Sequence, residues 1–103
     1  MRDYDLKLWC IYHIMKGGYM PTISVFYGIT IIMYPQGKEH NPPHIHAFYG
    51  EHTASFKIKD KELYEGEFPI RATRLVKEFL EQYEKELLEM WETGNYQQLK
   101  GLD

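Results

Sequence analysis

Three histidines stand close together in the string His40-Asn41-Pro42-Pro43-His44-Ile45-His46. His44 and His46 are separated by a single residue, so on an extended strand both imidazoles point to one face. Pro42-Pro43 cannot continue a helix and hold the segment after His40 stiff. Imidazoles set this way suit two kinds of chemistry. All three could ligate a divalent ion such as Zn, Ni or Cu. Alternatively, two could act as acid and base in cleaving a phosphodiester. A metal would call for a carboxylate to orient its ligands, and Glu39 and Glu51 flank the string. The plainer alternative is that the histidines are solvated or bonded to backbone. No cofactor beyond that divalent ion is expected, because the sequence has no phosphate loop, dinucleotide fingerprint or nucleophile elbow.

A second set of residues is cationic. His52 to Lys59 alternates, with Ala54, Phe56 and Ile58 on one side and Ser55, Lys57 and Lys59 on the other. By the same rule Ile45, Ala47 and Tyr49 face the interior, and His44, His46 and Phe48 share the opposite face. If the strands align, that face gathers two histidines, Ser55, Lys57, Lys59 and an aromatic, a set that would suit RNA. An ordinary solvated face with lysines guarding it against aggregation is the competing reading. Arg71 and Arg74 add to the candidates for anion binding. They open a helical segment with Lys77, and Glu86, Glu89 and Glu92 close it, so both groups oppose the helix macrodipole. Arg71 and Arg74 could hold a phosphate there. Pairing with Glu62, Glu65 and Glu67 just upstream is the favoured account.

Elements of two kinds must position these side chains. Thr22 to Tyr34 is rich in β-branched and aromatic residues and reads as one strand, with a bend or bulge at Gly28. Shorter strands follow over 44–49, 52–59 and 62–68, with Asp60-Lys61 as a tight turn. Pro69 then opens a helix from Ile70 to Thr93. Ala72, Leu75, Val76, Phe79, Leu80, Tyr83, Leu87, Met90 and Trp91 recur at helical spacing, and Gly94 stops it. The fold class is α+β: a four-stranded antiparallel meander with one long C-terminal amphipathic helix packed on one face.

Composition bounds the rest. With 103 residues, 44% hydrophobic and 26% charged, the chain is a single folded unit rather than a disordered one. A net charge of −3 argues against a polycation for nucleic acid, and no apolar run is long enough for a membrane span. The lone Cys10 excludes a disulfide framework within the chain. Residues 1–19 carry a charge of +1 against −4 for the remainder. Lys16-Gly17-Gly18 can be encoded by a purine-rich ribosome-binding sequence ahead of the Met20 codon. The expectation is therefore an N-terminal extension over 1–19 that comes from a start assigned upstream, with a genuine helix docking through Leu6, Trp9 and Ile14 as the competing reading, and a single domain over 20–103.

One resemblance adds to this. The segments Met20-Pro21-Thr22-Ile23-Ser24, Phe26-Tyr27-Gly28-Ile29, His40 to Ala47, Tyr49-Gly50-Glu51, Glu65 to Pro69 and Glu86 to Trp91 resemble the small bacterial family called domain of unknown function 4160. Members often lie beside a second small gene. The resemblance thus implies a cytoplasmic protein with a protein partner, in a module like a toxin–antitoxin pair or a regulator. Phe48 departs from the pattern, since a charged residue is expected there, and makes the sheet face more apolar.

Two functions follow as expectations. The first is a non-enzymatic interaction protein that meets its partner through a sheet edge or a tyrosine-rich surface. The second is an RNA-cleaving or phosphoester-processing enzyme using His40, His44 and His46. An isolated domain of this size is only marginally stable, so self-association is also expected to help it.

Overall fold

Where the sequence predicts one strand from Thr22 to Tyr34, the computed structural model of the protein has two. Tyr27 and Gly28 have φ of 49° and 80°, so both lie in the left-handed region. Two successive positive φ values make the type I′ turn, whose twist matches that of a hairpin. The β-branched run therefore folds back on itself as β1 (Thr22–Phe26) and β2 (Ile29–Ile32). The remaining strands are β3 (His44–Tyr49), β4 (His52–Lys57) and β5 (Leu63–Gly66), and α1 (Ile70–Thr93) follows. The structure describes residues 22–33 and 42–103; the expectations for residues 1–19, Glu39 and His40 lie outside them.

The fold is α+β. All five strands form one antiparallel meander in the order β1-β2-β3-β4-β5. The helix covers one face with Ala72, Val76, Phe79, Leu80, Leu87, Met90 and Trp91, all buried. They meet Ile29, Ile31, Ile45, Ala47, Ala54 and Phe56 from the sheet. Phe79 stacks on Phe26 with ring centroids 4.9 Å apart. Pro69 precedes the helix and Gly94 closes it, donating its N–H to the Met90 carbonyl at 2.9 Å. At Tyr83 the backbone leaves helical values (φ −115°, ψ 20°). No proline or glycine lies in the helix to cause this. The Tyr83 hydroxyl donates to the Lys100 carbonyl at 2.8 Å.

That contact belongs to a segment whose sequence reads as a short polar tail. It returns along β1 instead. Leu99 donates its N–H to the Ile23 carbonyl at 2.8 Å, and Asp103 accepts the Tyr27 N–H at 3.1 Å. Tyr96, Leu99 and Leu102 pack against the core. A Cβ on Gly101 would lie 2.6 Å from the Phe26 Cβ and 2.9 Å from the Val25 carbonyl oxygen, so this approach requires glycine.

β4 ends at Lys57, two residues sooner than the alternation predicts. The reason is the turn. Lys57 donates its N–H to the Glu62 carbonyl at 2.9 Å, and Asp60 accepts the Glu62 N–H at 3.0 Å. That bond and the Lys57 ammonium at 3.3 Å hold the Asp60 carboxyl below its usual range. Lys61 adopts φ 60° and sends its ammonium to Glu84 on the helix, 2.6 Å away.

The face opposite the helix is not open at its centre. Phe48 and Ser55 are 3% and 2% exposed, and Thr30 and Ile32 are buried beside them. The alternation is as expected, since His46 lies opposite Ile32 and Ser55, and Phe48 opposite Thr30 and Thr53. What fails is the inference that polar neighbours leave that face in water. Ile32 and Phe48 are large apolar side chains, and burying each is worth about 1.5–3 kcal/mol.

Candidate functional site

Two of the three histidines are brought together. The rings of His44 and His46 lie 5.1 Å apart, edge to face. His44 is the first residue of β3, and its Nδ1 donates to the Pro42 carbonyl at 2.8 Å. A carbonyl can only accept, so this bond puts the proton on Nδ1 and leaves Nε2 as the acceptor in the neutral ring. A backbone carbonyl thus orients His44, a part that Glu39 or Glu51 was only a candidate to play.

His44 lies beside His46, as the spacing of two predicts, but it also touches the helix, a contact that alternation does not announce. Its ring lies 5.2 Å from the Trp91 indole and 5.5 Å from Tyr64. The cause is relative length. A helix of 24 residues spans about 36 Å and a six-residue strand about 20 Å. The last helical turn therefore reaches the end of β3.

His46 is half-buried, and burial first and the neighbouring His44 second push it down to about 3. It is neutral at physiological pH, a state that can accept a hydrogen bond or a metal but cannot donate a proton as a general acid. Opposite it, Ser55 Oγ is buried without a hydrogen-bond partner among the described residues.

Lys57 joins the cluster. It lies opposite His44 across the β3–β4 ladder, and its ammonium is 5.9 Å from the centre of the Tyr64 ring. Lys59 does not join, because it sits in the exposed β4–β5 turn. His40, the third member of the expected triad, lies outside the described residues. Among the described residues no group of three or more His, Cys, Asp or Glu side chains could hold a metal.

Arg71 and Arg74 are both exposed in the first turns of α1, which carries no side-chain cap and no acid in its first turn. Neither arginine forms an ion pair among the described residues, where the two pairs are Lys57–Asp60 and Lys61–Glu84. The expected pairing with Glu62, Glu65 and Glu67 is therefore corrected. Exposed pairs contribute about 0–1 kcal/mol, too little to hold long side chains together. Arg71 instead lines a cavity of about 400 Å³ with Tyr27, Tyr49, Ala72 and Leu75. Arg74 is not among its lining residues.

Four aromatics thus belong to these places without having been singled out. Tyr64 and Trp91 frame the histidines, and Tyr27 and Tyr49 wall the cavity. A signal for Tyr27 existed. Two β-branched runs on either side of Tyr27-Gly28 are a hairpin pattern, which would have put Tyr27 at the tip. Trp91 was hidden because its contact depends on how far the helix outruns the sheet.

The fold and this arrangement define a small α+β protein: a five-stranded meander with one helix and a histidine–aromatic cluster at the end of its central strand. Residues 28–92 match the family described as Domain of unknown function (DUF4160), and the chain belongs to that family. Among curated proteins and solved structures, nothing matches it. No helix among the described residues is long and apolar enough to cross a membrane.

Proposed function

We propose that the protein is an interaction module that takes up an extended, basic strand of a partner polypeptide along the outer edge of β5. On this reading it is one half of a two-component module like a toxin–antitoxin pair or a regulator, acting in the cytoplasm. The observation that carries the reading is the contrast between the two edges of the sheet. β1 has its own C-terminal segment alongside it, through the Leu99–Ile23 bond. β5 has no strand on its outer side among the described residues, and all four of its residues are exposed.

An uncovered edge offers backbone donors and acceptors to another chain. Leu63 and Tyr64 on it are 44% and 37% exposed, which supplies apolar contact. Charge chooses the occupant. Glu62, Glu65 and Glu67 are exposed and form no ion pair among the described residues. A second copy of this edge would set like charges against one another, whereas a strand bearing Lys or Arg would neutralise them.

The test is co-purification with the product of the neighbouring gene, with and without RNase. The expected result is an RNase-resistant complex that weakens as salt is raised. Leu63→Lys should reduce its affinity at least about tenfold with an unchanged melting temperature. A complex indifferent to Leu63→Lys would remove β5 from the interface.

The alternative, a histidine-dependent RNA-cleaving or phosphoester-processing enzyme, draws on the orientation of His44 by Pro42, which frees Nε2 as a base. It also needs an acid, and His46 held neutral does not supply one. That role would fall to His40. A divalent ion on His40, His44 and His46 likewise remains a proposal, tested by metal content after purification without chelators.

A further inference from the structure

We propose that the cavity between the β1–β2 turn and the start of α1 binds a small planar aromatic anion of the nucleoside monophosphate class. The proposal uses no residue of β5 and stands apart from the partner interface. The cavity, at about 400 Å³, lies at the small end of the range for ligand sites, about 300–1,000 Å³. Its lining divides by chemistry. Ala72 and Leu75 offer apolar surface, Tyr27 and Tyr49 offer two aromatic rings, and Arg71 is the one charged residue among its described lining residues. Rings beside a single guanidinium match a molecule with a flat face and one anionic group.

Two local irregularities converge on this cavity. Tyr27 is a bulky residue held at φ 49°, where Asn, Asp or Gly fits better, and its side chain is 54% exposed. The turn is kept in place by Asp103, which accepts its N–H at 3.1 Å. An exposed ring placed on a strained backbone adds nothing to the core. It is accounted for if the ring has a ligand to meet. Arg71 is the second irregularity. It sits at the end of α1 where a cation opposes the macrodipole, and no carboxylate among the described residues neutralises it. A bound anion would reverse that penalty. Tyr49 is preset for the same task, because its ring lies 3.5 Å from where a Cβ on Gly28 would be and 6.2 Å from the Phe68 ring.

The test titrates the full chain with AMP, adenosine and inorganic phosphate separately, following amide and tyrosine signals by NMR. AMP is expected to bind saturably, and adenosine and phosphate each at least about tenfold more weakly. Arg71→Gln should lower AMP affinity about tenfold, whereas Arg74→Gln, outside the cavity, should leave it unchanged. Tyr27→Asn should also lower it about tenfold without lowering the melting temperature, since Asn suits the turn. A 5′-phosphorylated dinucleotide separates the sources: tighter binding than AMP identifies an RNA end, weaker binding a free nucleotide. Three outcomes overturn the proposal. They are no saturable response to AMP up to about 10 mM, equal affinity for phosphate and AMP, or a folded Tyr27→Asn variant that binds AMP like the wild type.

Discussion

The imidazole of His44, at the start of β3, rests 5.2 Å from the indole of Trp91 in the last turn of α1. The most chemically suggestive part of the sequence is thereby tied to the core, because Trp91 is buried with Leu87 and Met90. A double-mutant cycle separates packing from any function. His44→Ala and Trp91→Phe should couple by about 0.5–1.5 kcal/mol in unfolding free energy, the range for adjacent aromatic rings. Strict additivity in urea denaturation would show that the contact contributes nothing to stability.

Stability should also fall with acid through His46. Its folded value is lowered from 6.5 to about 3 by burial and by His44. Between these values the unfolded chain binds a proton that the folded chain does not, so stability rises with pH. Below about 6.5 the fold should lose up to about 1.4 kcal/mol per pH unit until the lower value is reached; above it this contribution is constant. Denaturant midpoints from pH 7 to 4 measure the slope. His46→Gln should flatten it, and an unaltered slope in that variant would assign the acid sensitivity to other groups.

The sequence makes the helix legible to its ends, because Pro69, the apolar spacing and Gly94 are local signals that agree with packing. The β3–β4 pairing is legible for the same reason, with Ala47 opposite Ala54 and Ile45 opposite Phe56 as the alternation requires. The hairpin at Tyr27-Gly28 is less so, since a tyrosine at positive φ contradicts the preference that would announce a turn. The tail from Tyr96 onward is opaque to pattern reading. Its leucines are too few for a period, and its place depends on the room that Gly101 leaves beside Phe26. The burial of Phe48 and Ser55 fails to show in an alternating strand, because alternation separates two faces without saying whether either is wet.

Ser55 tests whether the face carrying His46 is built for stability alone. Its hydroxyl is buried with no partner among the described residues, which costs about 1–3 kcal/mol. Ser55→Ala removes that group at little change in volume and should raise stability by about 1 kcal/mol, measured by thermal or urea unfolding. A destabilised Ser55→Ala protein would mean that the hydroxyl has a partner in solution.

Gly101 tests the closed edge of the sheet. Any side chain there must displace the Phe26 Cβ or the Val25 carbonyl, both backbone-proximal atoms of β1 that cannot swing aside. Gly101→Ala should therefore cost about 1–3 kcal/mol, the usual penalty for forcing one extra carbon into a filled space. It should also speed hydrogen exchange at the Leu99 amide, which depends on the Ile23 carbonyl, more than at amides within α1. If the tail comes away, β1 is bared and its exposed Val25 joins a second open edge. The variant should then self-associate with rising concentration where the parent does not, as read by light scattering. A Gly101→Ala protein with parental stability and exchange would show that the C-terminal segment does not lie along β1 in solution.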